Sequence, residues 1–185
     1  APINIVEERT VGPDLGKDSI DAGVFSLIIG FILVIMFMFI KYRIFGLVSN
    51  ISLIANLFMM VGILTMIEAT LTLPGIAGII LTVGMAVDSN VLIYERIKEE
   101  LKTEKSIIHA FDTGYNKAKI TVIDANVTTL IAAAILFIFG SGPVKGFAVT
   151  LGIGIVTTLF SAYFIARHLT SVIVLNDKNG KYFKL

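Results

Sequence analysis

Apolar residues along this chain gather in long unbroken blocks rather than in short periodic stripes. Five blocks, 22–40, 44–67, 71–93, 120–139 and 146–166, each run 19 to 24 residues. A helix needs about 20 residues to cross the hydrocarbon of a bilayer. Inside lipid no water is present to satisfy the backbone, so such blocks form helices rather than lone strands. The pattern predicts an all-α polytopic membrane protein with five transmembrane helices. Lys41-Tyr42-Arg43 is a basic and aromatic stop between the first two blocks. Pro74 falls in the opening turn of the third block and Pro143 in the Gly140–Pro143 turn before the fifth, where a missing N–H costs little.

The polar segments assign sides. In 94–119, Tyr94, Ile97 and Leu101, then Ile107, Ile108, Phe111 and Tyr115, recur at helical spacing among charges, and Arg96 and Glu100 stand four apart on one face. This predicts two short amphipathic helices at the cytoplasmic interface, with Ser106 as an N-cap and Gly114 as a stop. The 41–43 turn, the 94–119 segment and the 167–185 tail together hold 12 Lys and Arg, against Arg9, Lys17 and Lys145 in the alternate set. The positive-inside rule therefore places the N-terminus outside and the C-terminus in the cytoplasm. Residues 1–21, with Pro2, Gly12, Pro13 and Gly16, read as an extracytoplasmic linker. That segment has to be translocated, yet the sequence starts at Ala1 with no leader ahead of it. The expectation is a C-terminal piece of a longer protein.

Composition narrows the chemistry. Only 16% of residues are charged, the net charge is +1, and there is no cysteine. No basic stripe points to nucleic acid, disulfides and thiolate chemistry are excluded, and two distant histidines make a poor zinc site. The five blocks contain two formal charges, Asp88 and Asp124.

Asp88 lies about 22 Å along the third helix, counted from Leu73 at 1.5 Å per residue. A carboxyl at such depth is costly and usually faces a bundle interior or a water-filled path. Desolvation favours its neutral form and a nearby guanidinium its charged form, so a carboxyl held between the two takes up and releases a proton. Ala77, Leu81, Gly84 and Asp88 share one helical face, a strip of mostly small residues suited to close packing, with Asn90 close by. Asp124 sits near the start of the fourth helix, where negative charge also suits the helix dipole, with Thr128 on its face. The two aspartates fall at comparable depth on neighbouring helices. Asn50 and Asn56 predict interhelical hydrogen bonds, and Gly152 and Gly154 a groove on the last helix.

Several stretches resemble the SecD family of bacterial protein-export subunits. They are Val6–Pro13, Leu73–Gly78 running into Gly84–Ile97, Asp124–Leu130 and Lys145–Ala148, in order and spacing over nearly the whole chain. The resemblance implies helices two to six of a six-helix half of a resistance-nodulation-division-type bundle in the bacterial inner membrane. It implies SecF, the SecYEG channel and, indirectly, SecA and the translocating preprotein as partners, with no cofactor and no enzymatic reaction. By position Asp88 matches the family's proton-relay aspartate, whose charged partners belong to SecF, and Asp124 matches a further motif residue. Ser89 stands where the family usually has Ala. The alternative is a proton-coupled exporter of a small lipophile from the same superfamily. Intramembrane aspartyl proteases, with paired carboxyls, carry Tyr-Asp and Gly-x-Gly-Asp motifs, whereas Val87 precedes Asp88 and Ile123 precedes Asp124 here.

Overall fold

The computed structural model describes residues 13–103 and 106–177, with side chains from Lys17 onward. Long helices account for nearly all of it, and no strand occurs among the described residues. Helix α1 spans Pro13–Met66, α2 Leu73–Glu100 and α3 Ile107–Phe139. Helix α4, Pro143–Phe160, passes through a π-helical turn, Ser161–Ala166, into α5, Arg167–Asn176. Four helical stretches are long and apolar enough to cross a membrane: Lys17–Met66, Leu73–Glu100, Ile107–Phe139 and Pro143–Asn176.

Helix α1 is not one rod. Arg43 breaks it with φ 51° and ψ −112°. The Asn50 amide then donates to the Ile35 carbonyl at 3.2 Å, a contact that 15 residues of straight helix, about 22 Å, would forbid. A Cβ on Gly46 would collide with the Met38 carbonyl, so the two limbs touch backbone to backbone beside the break. The sequence placed its basic turn at 41–43, and the reversal falls there. The other end of α1 closes with Glu68 N–H on Thr65 O (3.1 Å) and Ala69 N–H on Leu64 O (3.0 Å), the paired bonds of a Schellman cap. Glu68 occupies its left-handed position at φ 51°, where glycine is usual and an L-residue costs about 1–2 kcal/mol.

Thr72 caps α2, accepting from the Gly75 N–H at 3.1 Å, and Pro74 sits in the first turn as its missing donor predicts. Helix α2 is the centre of the assembly: 56% of its apolar stretch is buried, against 6% for α1 and 17% for α3. It packs most extensively on α4. A Cβ on Gly78 would strike Thr150, one on Gly146 would strike Thr72, and one on Gly154 would strike Thr82. Small residues on both helices let the backbones meet, which lipid-embedded helices need because hydrocarbon gives no hydrophobic drive to associate. A buried polar seam joins α1 to this pair. Asn56 donates to Thr158 Oγ1 at 3.2 Å and Ser52 to the Ser161 carbonyl at 3.0 Å.

Several expectations change. The 94–119 segment does not form separate short helices. Helix α2 runs on unbroken to Glu100, and α3 starts after Ser106 and continues through Gly114. Gly114 does not stop a helix; a Cβ there would lie 2.7 Å from the Ile97 Cα, so glycine lets α3 approach α2. Ser106 is the N-cap residue as expected, but its side chain makes no capping bond. The segment read as a linker becomes helical from Pro13, its earlier part lying outside the described residues. The tail begins as α5, and its remainder from 178 onward lies outside them as well.

Filling the α2–α4 contact with Gly154→Val should cost about 1–3 kcal/mol in a detergent unfolding titration of the full-length protein. Gly62→Ala, where an added Cβ meets nothing within 4 Å, should be neutral or stabilising in the same assay. A double-mutant cycle of Asn56→Ala with Thr158→Ala should return a coupling of about 0.6–1.7 kcal/mol.

Candidate functional site

The two acids that the sequence singles out sit on the antiparallel pair α2 and α3. Ile97 packs against Gly114, and Lys117 Nζ donates to both Glu100 carboxylate oxygens at 2.9 and 3.0 Å. Leu92 and Thr121 line one cleft. Carried along the helices, this register puts Asp124 level with Asp88, as expected. They do not touch: neither carboxylate has a hydrogen bond or ion pair among the described residues. Both side chains are exposed on the surface of this chain.

One face of α2, through Gly75, Gly78, Thr82 and Ala86, is buried within the chain. The opposite face carries Ala77, Leu81, Gly84 and Asp88, and all four are exposed. Leu81 is 45% exposed, and a Cβ on Gly84 would meet nothing within 4 Å. A helix with two small-residue strips thus spends one on its own chain and leaves the strip with the acid open.

The neighbours expected to pack near the relay divide. Ser89 donates to the Met85 carbonyl at 2.9 Å, and Asn90 to the Ala86 carbonyl at 3.2 Å. Asn90 is buried, two residues on and so nearly opposite Asp88 around the helix; it packs inside the chain rather than beside the acid. Thr128 is exposed on the Asp124 side, and its hydroxyl donates to the Asp124 backbone carbonyl at 2.9 Å. Asn126 turns inward and donates to the Val122 carbonyl at 2.8 Å.

Sequence reasoning missed a polar cleft of about 370 Å³ between α2 and α3, lined by Leu92, Glu95, Arg96, Glu99, Lys117 and Thr121. It lies one turn beyond Asp88, toward the basic end of the bundle. Arg96 pairs with Glu99 at 2.8 Å and Glu100 at 3.0 Å, the second being the i,i+4 pair that the spacing predicts. Tyr42 Oη donates to Glu95 at 2.9 Å, with Lys41 3.7 Å from the same carboxylate. These ions come from three stretches of chain, so no local motif announces the cleft. Only the Arg96–Glu100 spacing hinted at it.

The family profile described as protein export membrane protein SecD/SecF, C-terminal, matches residues 2–176. Protein translocase subunit SecD of Desulfurispirillum indicum is 56% identical over 175 residues, covering 95% of this chain and 34% of that protein. The SecD subunit of Magnetococcus marinus is 52% identical over 178 residues, covering 96% and 34%. The chain thus spans about a third of the length of these relatives. The crystal structure of SecDF from Thermus thermophilus, a translocon-associated membrane protein, superposes with a TM-score of 0.86 at 44% identity, covering 89% of this chain and 23% of that one. A profile match across nearly every residue, joined to a shared helical bundle, means that the chain belongs to the SecD/SecF protein-export family, as a SecD-type sequence.

Proposed function

We propose that this chain is the membrane part of a SecD subunit that uses the proton-motive force to help draw polypeptides through the SecYEG channel, with Asp88 as its proton carrier. One observation carries the reading: an acid deep in an apolar helix, on a strip of small residues that its own chain leaves uncovered. Such a strip suits a second helix bundle at close range, and in this family SecF is the natural occupant. Once covered, Asp88 would lose water and depend on groups from the partner for its charge balance.

The break at Arg43 and the contact of Asn50 with Ile35 support five crossings, α1 contributing two. We place the end with Lys41, Arg96 and Lys117 in the cytoplasm, because 12 of the 15 basic residues fall there under that threading. The polar cleft beyond Asp88 then offers protons a hydrated approach from the cytoplasmic side. One charge crossing the full potential is worth about 2.3 kcal/mol per 100 mV, which biases a two-state equilibrium about 40-fold. A carboxyl alternating between neutral and charged therefore has enough driving force to tilt one bundle against the other. Asp124, level with Asp88 but outside its strip, serves the same path less directly.

In the full-length subunit with SecF, Asp88→Asn should abolish the stimulation of export by a proton gradient while leaving SecA- and ATP-driven export in place. Vesicle translocation with and without an ionophore measures it, and stimulation retained in the mutant would remove Asp88 from the mechanism. Asp124→Asn should give a smaller loss in the same assay. The purified chain alone, lacking its covering partner, should pass no protons in a liposome pH assay.

A further inference from the structure

At the end of the bundle opposite the basic cluster, a cavity of about 810 Å³ opens among the ends of α1, α2, α3 and α4. Glu68, Thr70 and Lys145, all exposed, form its polar mouth, and the buried Leu64 and Ile79 line it deeper in. It shares Ile67, Phe137 and Val149 with a second hollow of about 480 Å³. That hollow runs down the outside of α3 and α4 past Leu130, Ala134, Gly152, Ile153 and Val156, with no charged residue in its lining. Space is free beside Gly152, where an added Cβ would meet only Leu130 Cδ1, at 4.0 Å. The lining is drawn from α3, α4 and the end of α1 and includes no residue of α2, the helix that carries Asp88.

The mouth carries one charge of each sign. Neither Glu68 nor Lys145 has an ion-pair partner among the described residues, and Lys145 Nζ sits 5.9 Å from the Phe137 ring centroid, over the cavity wall. Lys145 also stands in the first turn of α4, and Thr72, the cap of α2, reaches the Pro143 carbonyl beside it at 3.4 Å. Two helix N-termini and a lysine thus favour an anion at this spot. Glu68 stands in the left-handed position of its cap, where glycine would be free of strain. A strained residue kept at a cavity mouth points to use of its side chain.

We propose that this cavity holds one phospholipid of the adjacent leaflet, an acyl chain in the apolar hollow and a zwitterionic headgroup at the mouth, phosphate toward Lys145 and ammonium toward Glu68. The charge pattern favours phosphatidylethanolamine over an anionic headgroup, because an anionic lipid gives Glu68 no partner. The inference rests on the placement of the helices in a bilayer and not on proton transfer at Asp88.

The test uses the full-length subunit with its partner in phosphatidylethanolamine–phosphatidylglycerol vesicles. Either lipid carries a photoactivatable group on its acyl chain, and labelled residues are mapped by mass spectrometry. Labelling by the ethanolamine lipid at Ala134 and Ile153 should exceed that at Phe25 and Leu33, which are exposed on the first limb of α1, by about tenfold. Gly152→Phe, and separately Ala134→Phe, should remove the excess while Phe25 and Leu33 label as before. Glu68→Gly should raise the melting temperature yet erase the preference for the ethanolamine lipid. Equal labelling in hollow and annulus, an excess that survives both filling variants, or a peptide cross-link placing another protein segment in the hollow would overturn the site. Absence of labelling at Phe25 and Leu33 as well would instead overturn the bilayer placement.

Discussion

Close backbone approach between α2 and α4 is the constraint on which the rest of the bundle depends. Leu packed against Leu is no better shielded from water than Leu in lipid, so these helices cannot rely on the force that packs a soluble core. They meet where Gly78 faces Thr150, Gly146 faces Thr72 and Gly154 faces Thr82. Short distances there let dispersion and backbone dipoles act over the full length of the crossing. The threonines keep their hydroxyls satisfied within their own helices, Thr82 on the Gly78 carbonyl and Thr150 on the Phe147 carbonyl. Each hydroxyl oxygen, the threonine atom nearest the facing glycine, is thereby satisfied without help from the neighbouring helix. Once α2 and α4 are fixed, α1 docks through Asn56 and Ser52, and α3 through Gly114 and the Glu100–Lys117 pair.

This arrangement separates two kinds of polarity. Ser52, Asn56, Thr158 and Ser161 are uncharged, buried and serve cohesion. Asp88 is ionisable, lies on the outside of the chain and makes no hydrogen bond or ion pair among the described residues. Helix α2 keeps the two apart by placing its buried contacts and its acid on opposite faces.

Much of this was legible in residue order. Apolar block length marked the chain as all-helical, the basic turn at 41–43 marked the break in α1, Pro74 marked a helix start, and the lone acids drew attention at once. Asn50 and Asn56 were correctly read as interhelical bonds, since an amide in hydrocarbon has to find a partner. What could not be read was partnership across distance. Gly114 looks like a helix stop because glycine serves both stops and close contacts, and only the presence of Ile97 opposite decides between them. Asn90 seemed close to Asp88 by sequence, yet two residues along a helix is nearly half a turn. The cleft beyond Asp88 needs Lys117 brought to Arg96 and Glu95, which no local spacing encodes.

The π-helical turn Ser161–Ala166 sets the angular phase of everything after it. A π turn takes in about one residue more than an α turn, equivalent to about 100° of rotation about the axis. With that extra residue absorbed, Thr170 and Val174 face the bundle. Rewound as regular α-helix, the same six residues would swing α5 about a quarter turn and carry those two side chains out of their seats. The docking of α5 is thereby geared to the winding of the helix that precedes it, so a disturbance in the middle of that helix would be felt at its far end as torque.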